Sequence, residues 1–336
     1  MAFADLVRPV PETELAKVNV KIPEAEPGIR QGVAVVAGIY GRSLELSRFL
    51  NTNGFQVIGS NWALPPHENN FQFRSWPRNA FVQLNETIFT RPGVQQEVLG
   101  WSFRSFMGEA ASRLKFVEHE VLGNGGKVLS ANHYLVVPET GLDKQDLALI
   151  KKAGDFEIIT MPNPQGCDEF MNWRISEKAL EFEAKKLSRR EEIINLESAY
   201  NAWVLRTHDP NVPRYRFYQP DLDLFMALVE DKSGRMVLAV DELYQEIYPG
   251  SVEAASKKVK VKLVDCVESA FLACNFFRAK DVAIVSSEAP QMKQWLEEDI
   301  VGPGHVVDFP AKWVVDSHYG SGFRCLFNEL DLKPFK

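Results

Sequence analysis

AFVQLNETIFTRPG, residues 80–93, decides how this chain is read. Two short runs of Phe, Val, Leu, Ile and Thr flank Asn85-Glu86, and Arg91-Pro92-Gly93 closes the second. β-Branched and aromatic residues on both sides of a two-residue polar turn read as a hairpin. A helical pattern follows, with Val98, Trp101, Phe106 and Met107 among its apolar positions. These signals return along the chain. KVLSANHYLVVPET (127–140) is a hairpin turning at Ala131-Asn132-His133, followed by the helix DKQDLALIKKA (143–153) and a strand at 156–160. LFMALVEDKSGRMVLAVDEL (224–243) turns at 231–234, ahead of a helix near 251–258. AKDVAIVSSEAP (279–290) carries the next second strand, and the helix QMKQWLEEDI (291–300) comes after it.

The second strands begin near Thr87, Tyr134, Met236 and Val282, which by subtraction lie 47, 102 and 46 residues apart. The long interval is about two short ones and contains an insertion. Modules that recur at a fixed period are evidence of architecture before any motif is considered. Each unit is strand–strand–helix–strand, and a closed ring of about five would bury all their apolar faces together. An open α/β sheet with chance periodicity is the competing reading.

Working outward, SLELSRFLNTNGFQVI (43–58) places Leu44, Leu46, Phe49 and Leu50 at helical spacing. Gly54 then stops the helix before a strand at 55–58. Residues 1–30 are rich in Pro, Glu and Lys without periodicity and read as an extended N-terminal arm, leaving 31–336 as a single domain. The helical insertion falls at about 170–207, and its core, 175–206, is charged with one apolar stripe. Alternating Lys, Arg and Glu suit i,i+4 pairs on a solvated face packed on the rim. A dimerisation arm, and with it a homodimer, is the second reading of this segment.

The chain has 336 residues, 45% hydrophobic and 25% charged, as soluble globular proteins do. Its 38 basic and 45 acidic residues leave a net charge of -7. No basic excess exists to neutralise phosphates, so neither nucleic acid nor an anionic membrane is expected as a partner. The balance suits a cationic small molecule. Cys167, Cys266, Cys274 and Cys325 form no CxxC pair, so neither a disulfide framework nor a zinc site is expected. The opening MAFADLVRPVPETELAKV lacks a cationic segment followed by an apolar one, and no apolar run approaches the ~18 residues of a membrane helix. The expectation is a cytoplasmic protein.

Chemistry gathers at the starts of the modules. Trp76-Pro77-Arg78-Asn79 precedes the first hairpin, and Gly123-Asn124-Gly125-Gly126-Lys127 opens the second. Pro220-Asp221-Leu222-Asp223 opens the next. In the last module Gly320 and Gly322 bracket Ser321, and Phe323-Arg324-Cys325 leads into Leu326-Phe327. Glycines let the backbone take positive φ and let another molecule approach. A thiol on such a loop is how a cysteine nucleophile is presented, against the plainer reading of a buried, space-filling cysteine. In a ring, equivalent positions converge on one axis, which would gather Asn79, Asn124, Asp221, Asp223 and Cys325.

The ordered pattern RNAFVQLNETIFTRPG, NGGKVLSANHYLVV, DLDLFMALVED, LACNFF and GSGFRCLFNEL resembles the guanidine-modifying enzymes of the pentein fold. That group includes arginine deiminase, dimethylarginine dimethylaminohydrolase and the amidinotransferases. The match spans about residues 40–332, the insertion excepted, and its most specific pieces are the RPG turn and the terminal glycine-rich cysteine loop. It implies a five-bladed α/β propeller of ββαβ modules around a central channel, with Cys325 attacking a guanidino carbon. The implied partner is a small guanidino substrate, held by Arg78, Asn79, Asn124 and Gly322, and no metal or organic cofactor is implied.

This chain departs from the family pattern at three places. Arg78-Asn79 stands where Arg-Asp is usual, Asn124-Gly125-Gly126-Lys127 where Glu-Gly-Gly-Asp is frequent, and Asp221-Leu222-Asp223 where His-x-Asp is found. The usual histidine is the general acid and base. An aspartate is intrinsically ~2.5 pK units more acidic, so Asp221 needs burial or the charge of Asp223 to hold a proton. Two close carboxylates share protons as a pair. Three functions remain open: hydrolysis or amidino transfer on arginine or a derivative, altered chemistry on a related substrate, or a non-catalytic member that binds a small molecule or protein through the same channel. Arginine dihydrolases share the asparagine at the Asn79 place.

Overall fold

The computed structural model describes residues 22–24, 30–38, 43–59, 77–162, 221–264, 274–287, 289–309 and 323–332. The insertion at 170–207 lies outside them, as do His208, Arg214, Arg216, His318 and Gly322. The chain opens with β1 (Val33–Ala37), α1 (Ser43–Thr52) and β2 (Gln56–Gly59). The hairpin of β3 (Phe81–Leu84) and β4 (Thr87–Thr90) leads through α2 (Gln96–Met107) to β5 (Lys115–Glu118). Next come β6 (Leu129–Ala131), β7 (Tyr134–Pro138), α3 (Lys144–Ala153) and β8 (Glu157–Met161). After the insertion, β9 (Met226–Glu230) and β10 (Met236–Asp241) are followed by α4 (Glu242–Ile247), α5 (Pro249–Ser256) and β11 (Lys260–Val264). The series ends with β12 (Phe277–Ala279), β13 (Val282–Ser286), α6 (Pro290–Trp295), β14 (Val306–Phe309) and β15 (Phe327–Asp331).

These strands make five three-stranded sheets among the described residues. In every sheet the first strand runs antiparallel to the middle one and the third runs parallel to it. The antiparallel pair needs only a tight turn, whereas the parallel pair needs a crossover, which each module supplies as helix. Three hairpins turn on residues with left-handed backbone, Asn85 (φ 54°), Asn132 (φ 52°) and Lys280 (φ 49°). Asparagine tolerates that conformation better than most residues. The four middle strands read at Thr87, Tyr134, Met236 and Val282 begin at those residues.

The fifth sheet is composite. β15 pairs antiparallel with β1, Val33 opposite Asp331, and β2 adds on the other side of β1. All five residues of β1, VAVVA, are buried, as expected of a central strand covered on both faces. Residues 33–37 carry no alternation, and their partner is almost 300 residues away in sequence. Ile22 and Arg30, at the end of the stretch read as an arm, are also buried. Arg30 holds Asp281 with two hydrogen bonds of 2.9 and 2.6 Å and caps the carbonyls of Asn53 and Pro23, both at 2.8 Å.

Five hydrophobic clusters lie between the sheets. One packs Ala34 and Val36 of β1 against Phe81 and Ile88, a second packs Phe89 against Leu135, and a third packs Val136 against Leu238. The fourth packs Val237 against Val285, and the fifth packs Ile284 back against Val35 and Phe327. Each side chain of this size contributes roughly 1.5–3 kcal/mol by leaving water. The helices bury a stripe of side chains in these clusters. In α2 the stripe is Leu99 and Phe103, four residues apart. The side chains of Leu44, Val98, Trp101 and Phe106 lie outside the described residues. The helix read at 291–300 is α6 followed by a wider turn at Leu296–Ile300, with Val301 N–H bonded to Leu296 O at 2.8 Å. No helix among the described residues is long and apolar enough to cross a membrane.

Candidate active site

Every module delivers polar residues just before its first strand. A 3-10 turn, Pro77–Asn79, precedes β3, and another, Leu222–Leu224, precedes β9. A third, Arg324–Leu326, precedes β15. The tight loop 123–127 precedes β6, and Cys274-Asn275-Phe276 precedes β12. Backbone hydrogen bonds join these segments. Gly125 N–H donates to Arg78 O, and Asp223 N–H to Gly126 O, both at 3.0 Å. Gly125 and Gly126 permit that closeness. A Cβ on Gly125 would overlap the Arg78 carbonyl, and one on Gly126 would overlap the Asp221 carboxyl.

Asp223 is fully buried, and among the described residues neither carboxyl oxygen has a donor at hydrogen-bond geometry. Burial pushes its pKa up to about 7, and the neighbouring charge of Asp221 adds to that, while the guanidinium groups of Arg324 and Arg78 and the Asn275 side-chain amide act the other way. Asp221 is also raised, chiefly by burial. The cations Lys127 and Arg91, and hydrogen bonds from the Asn124 and Asn79 side chains, resist that rise. Asn124 Oδ1 in turn accepts Gly126 N–H at 2.9 Å. The Asn79 Oδ1 atom is buried and unpartnered.

Cys325 is buried but not among hydrocarbon alone. Its Sγ donates to Asn275 Oδ1 at 3.6 Å, and the Asn275 Nδ2 group donates to Asp223 O at 3.0 Å. One asparagine therefore spans the two loops that carry the sulfur and the carboxyl. Asn275 has no exposed surface. Arg78 gives Nη1 to Asn328 Oδ1 and Nη2 to Val128 O, each at 3.2 Å, and its Nε is buried without a partner. Burial and the like charge of Arg324 lower its pKa to about 9, against the pull of Asp223, Cys325 and Glu329. Arg324 is lowered by burial as well. Asn328 completes the floor, its Nδ2 bonding Phe81 O at 2.6 Å.

The structure thus brings together Arg78, Asn79, Asn124, Asp221, Asp223 and Cys325, while Gly322 lies outside the described residues. Sequence reading missed Asn275, Arg324, Asn328 and Glu329 as members of this group. For Asn275 a signal existed, because LACNFF precedes a first strand as the other four segments do. His119 takes no part. Its Nδ1 accepts Val121 and Leu122 N–H at 3.2 and 3.0 Å, and Nε2 meets Asp146 Oδ1 at 2.7 Å. Among the described residues no three His, Cys, Asp or Glu side chains are placed to hold a metal ion.

Solved structures share this architecture. The N-terminal domain of ArgZ, an arginine dihydrolase from the ornithine–ammonia cycle in cyanobacteria, is similar to it in a form covalently bound to a reaction intermediate. There the TM-score is 0.52 at 11% identity, covering 88% of this chain and 97% of that one. Against apo ArgZ the TM-score is 0.50 at 12% identity, and the chain spans 40% of that protein's length. Dimethylarginine dimethylaminohydrolase from Pseudomonas aeruginosa, complexed with citrulline, gives 0.50 at 10% identity, covering 88% and 98% of the two chains. These relatives are of the pentein superfamily, and the likeness is one of fold. No protein-family profile matches the sequence, and no curated protein sequence matches it.

Proposed function

We propose that this protein is a cysteine-dependent enzyme acting on the guanidino group of arginine or an arginine derivative. In this reading residues 31–336 form a single five-bladed α/β propeller, and the strand-entry loops line its channel. Support for the ring comes from the five clusters, which link each sheet to the next and the last to the first. Support for the chemistry comes from one observation above all. Among the described residues, the two Asp223 carboxyl oxygens and Asn79 Oδ1 are buried acceptors without donors at hydrogen-bond geometry, and Asn275 ties the Asp223 main chain to the Cys325 sulfur. Buried acceptors left unpaired cost free energy, and a guanidinium brings a planar set of N–H donors that satisfies several at once. The solved relatives carry matching chemistry: an arginine dihydrolase with a covalent intermediate and a hydrolase holding citrulline.

Cys325 gives its proton to the Asp221–Asp223 pair and its sulfur attacks the guanidino carbon, making a tetrahedral adduct. Expulsion of ammonia, or of an amine, takes that proton from the pair and leaves a thiouronium-type intermediate on sulfur. Water, or an amine acceptor, then adds and loses a proton to the same pair, and collapse releases the ureido or amidino product and the Cys325 thiolate, to which the proton returns. A carboxyl titrating near neutrality can both give and take a proton, which an ordinary aspartate cannot. Asp223 therefore replaces the histidine in this scheme, with Asp221 keeping its proton affinity high. Arg78 and Arg324 favour the thiolate electrostatically.

The test is incubation with arginine, methylated arginines and agmatine, assaying ammonia, ureido product and ornithine. Product that vanishes in Cys325→Ala is the expected result, and silence across the panel sinks the reading. One observation favours a second reading, that of a binding protein: the Asp221 carboxylate is held by two amides and flanked by Lys127 and Arg91. Saturable guanidine binding without turnover, unchanged in Cys325→Ala, would establish that reading.

A further inference from the structure

The Asn275 side chain has its orientation fixed by main chain on two sides. Its Oδ1 accepts Arg324 N–H at 3.0 Å, and its Nδ2 donates to Asp223 O at 3.0 Å. Turning the amide over would set donor against donor and acceptor against acceptor, so the oxygen must face the sulfur. An amide oxygen accepts and does not donate. The Cys325 sulfur at 3.6 Å is therefore matched to it as S–H and mismatched as a thiolate.

We propose that Asn275 is a positioning residue for Cys325, holding the resting sulfur as a protonated thiol aimed at Oδ1 and tying it to the Asp223 loop. Among the described residues, Arg78 from the turn before β3 and Arg324 from its own turn act on the sulfur, and Asp223 from the turn before β9 acts on both arginines. Glu329 of β15 stands behind the two arginines. The arginines favour the thiolate, but two N–H groups of Arg78 are engaged by Asn328 and Val128, and Asp223 offsets them whenever it is ionised. The role of Asn275 rests on these contacts and not on the reaction proposed above.

The experiment is a titration of the ultraviolet thiolate absorbance of the full chain, taken as the difference between wild type and Cys325→Ser. Wild type is expected to show its inflection at or above the ordinary thiol value of about 8.5. A thiolate already present at pH 6 overturns the proposal. In Asn275→Ala the inflection is expected to fall by roughly one unit, about tenfold more thiolate at neutral pH. In Asn275→Asp, where a carboxylate faces the sulfur, it is expected to rise. A residue that only braced the loops would leave the folded protein's inflection where it was, and that result overturns the assignment. If Asn275→Ala fails to fold, the aspartate variant and the wild-type titration decide by the same readout. Thiol behaviour as expected, with no guanidine turned over, sinks the reaction and leaves the role of Asn275 intact.

Discussion

Strand β9 carries a buried aspartate just beyond each end, and the two could hardly differ more. Asp231, after the strand, accepts Ser233 N–H at 2.8 Å, Ser233 Oγ–H at 2.6 Å and Arg235 N–H at 3.0 Å on one oxygen. Arg235 meets the other oxygen at 3.1 Å. The bond from Ser233 is the largest cause drawing its pKa down to about 2, and the backbone donors and the Arg235 charge add to it, against burial. Asp223, before the strand, has no donor at hydrogen-bond geometry on either oxygen among the described residues and is pushed up to about 7. One carboxyl is spent on holding a turn. The other is left with its acceptors unfilled among the described residues, a cost that a bound guanidinium offsets in the function proposed above.

The largest expected effect separates the two in turnover. Asp223→Asn should lower turnover of the responsive guanidine roughly a hundredfold or more, the usual size of a lost general acid–base. Asp231→Asn should leave the same rate within about a factor of three in protein shown to be folded. Steady-state kinetics on the two variants checks this. Equal losses would dissolve the contrast.

Stability should move in opposite directions. Asp231→Ala is expected to cost about 2 kcal/mol at pH 7, from lost charge-assisted hydrogen bonds. A depressed carboxyl stabilises above its unfolded value, so the cost should fade as pH falls from about 4 toward 2. Asp223 has the reverse sign. Its raised pKa favours the fold while protonated, and that advantage is lost as pH rises from about 4 through about 7. Asp223→Asn should therefore stabilise the protein at pH 8, by up to about 4 kcal/mol for a rise of about three pK units, with the gain gone at pH 4. Denaturant melts at the two pH values measure both.

The same contrast explains what could be read from the sequence. Hairpins were legible because their causes are local: Asn85 and Asn132 take a left-handed turn between β-branched runs, and Asp231 closes its own loop. β1 was not legible, because VAVVA lacks alternation and its pairing with β15 depends on closure across the whole chain. Cys325, Asp221 and Asp223 stood out by their place in the modules. Asn275 did not, since an asparagine within LACNFF has no chemistry of its own until Asp223 and Cys325 are set on either side of it. What Asp223 lacks was equally hidden, because the absence of donors is a property of the packed site.

The smallest effect tests why Asp223 titrates where it does. Burial is its first cause and the charge of Asp221 its second. Because burial is the larger cause of a rise from 3.8 to about 7, the charge of Asp221 accounts for the smaller share, roughly one pK unit. Asp221→Asn keeps the shape and deletes the charge, so the Asp223 inflection should move down by roughly that one unit and no further. It should not return to the ordinary carboxylate range, because burial remains. Infrared difference spectra of the protonated carboxyl band, taken across pH 4–9, would follow it directly. An unmoved inflection would mean that Asp221 is ionised too rarely to act on its neighbour, and the proton would then belong to Asp221. A full return to the ordinary range would mean that repulsion, not burial, holds the proton on Asp223, and the site would be wetter than its packing implies.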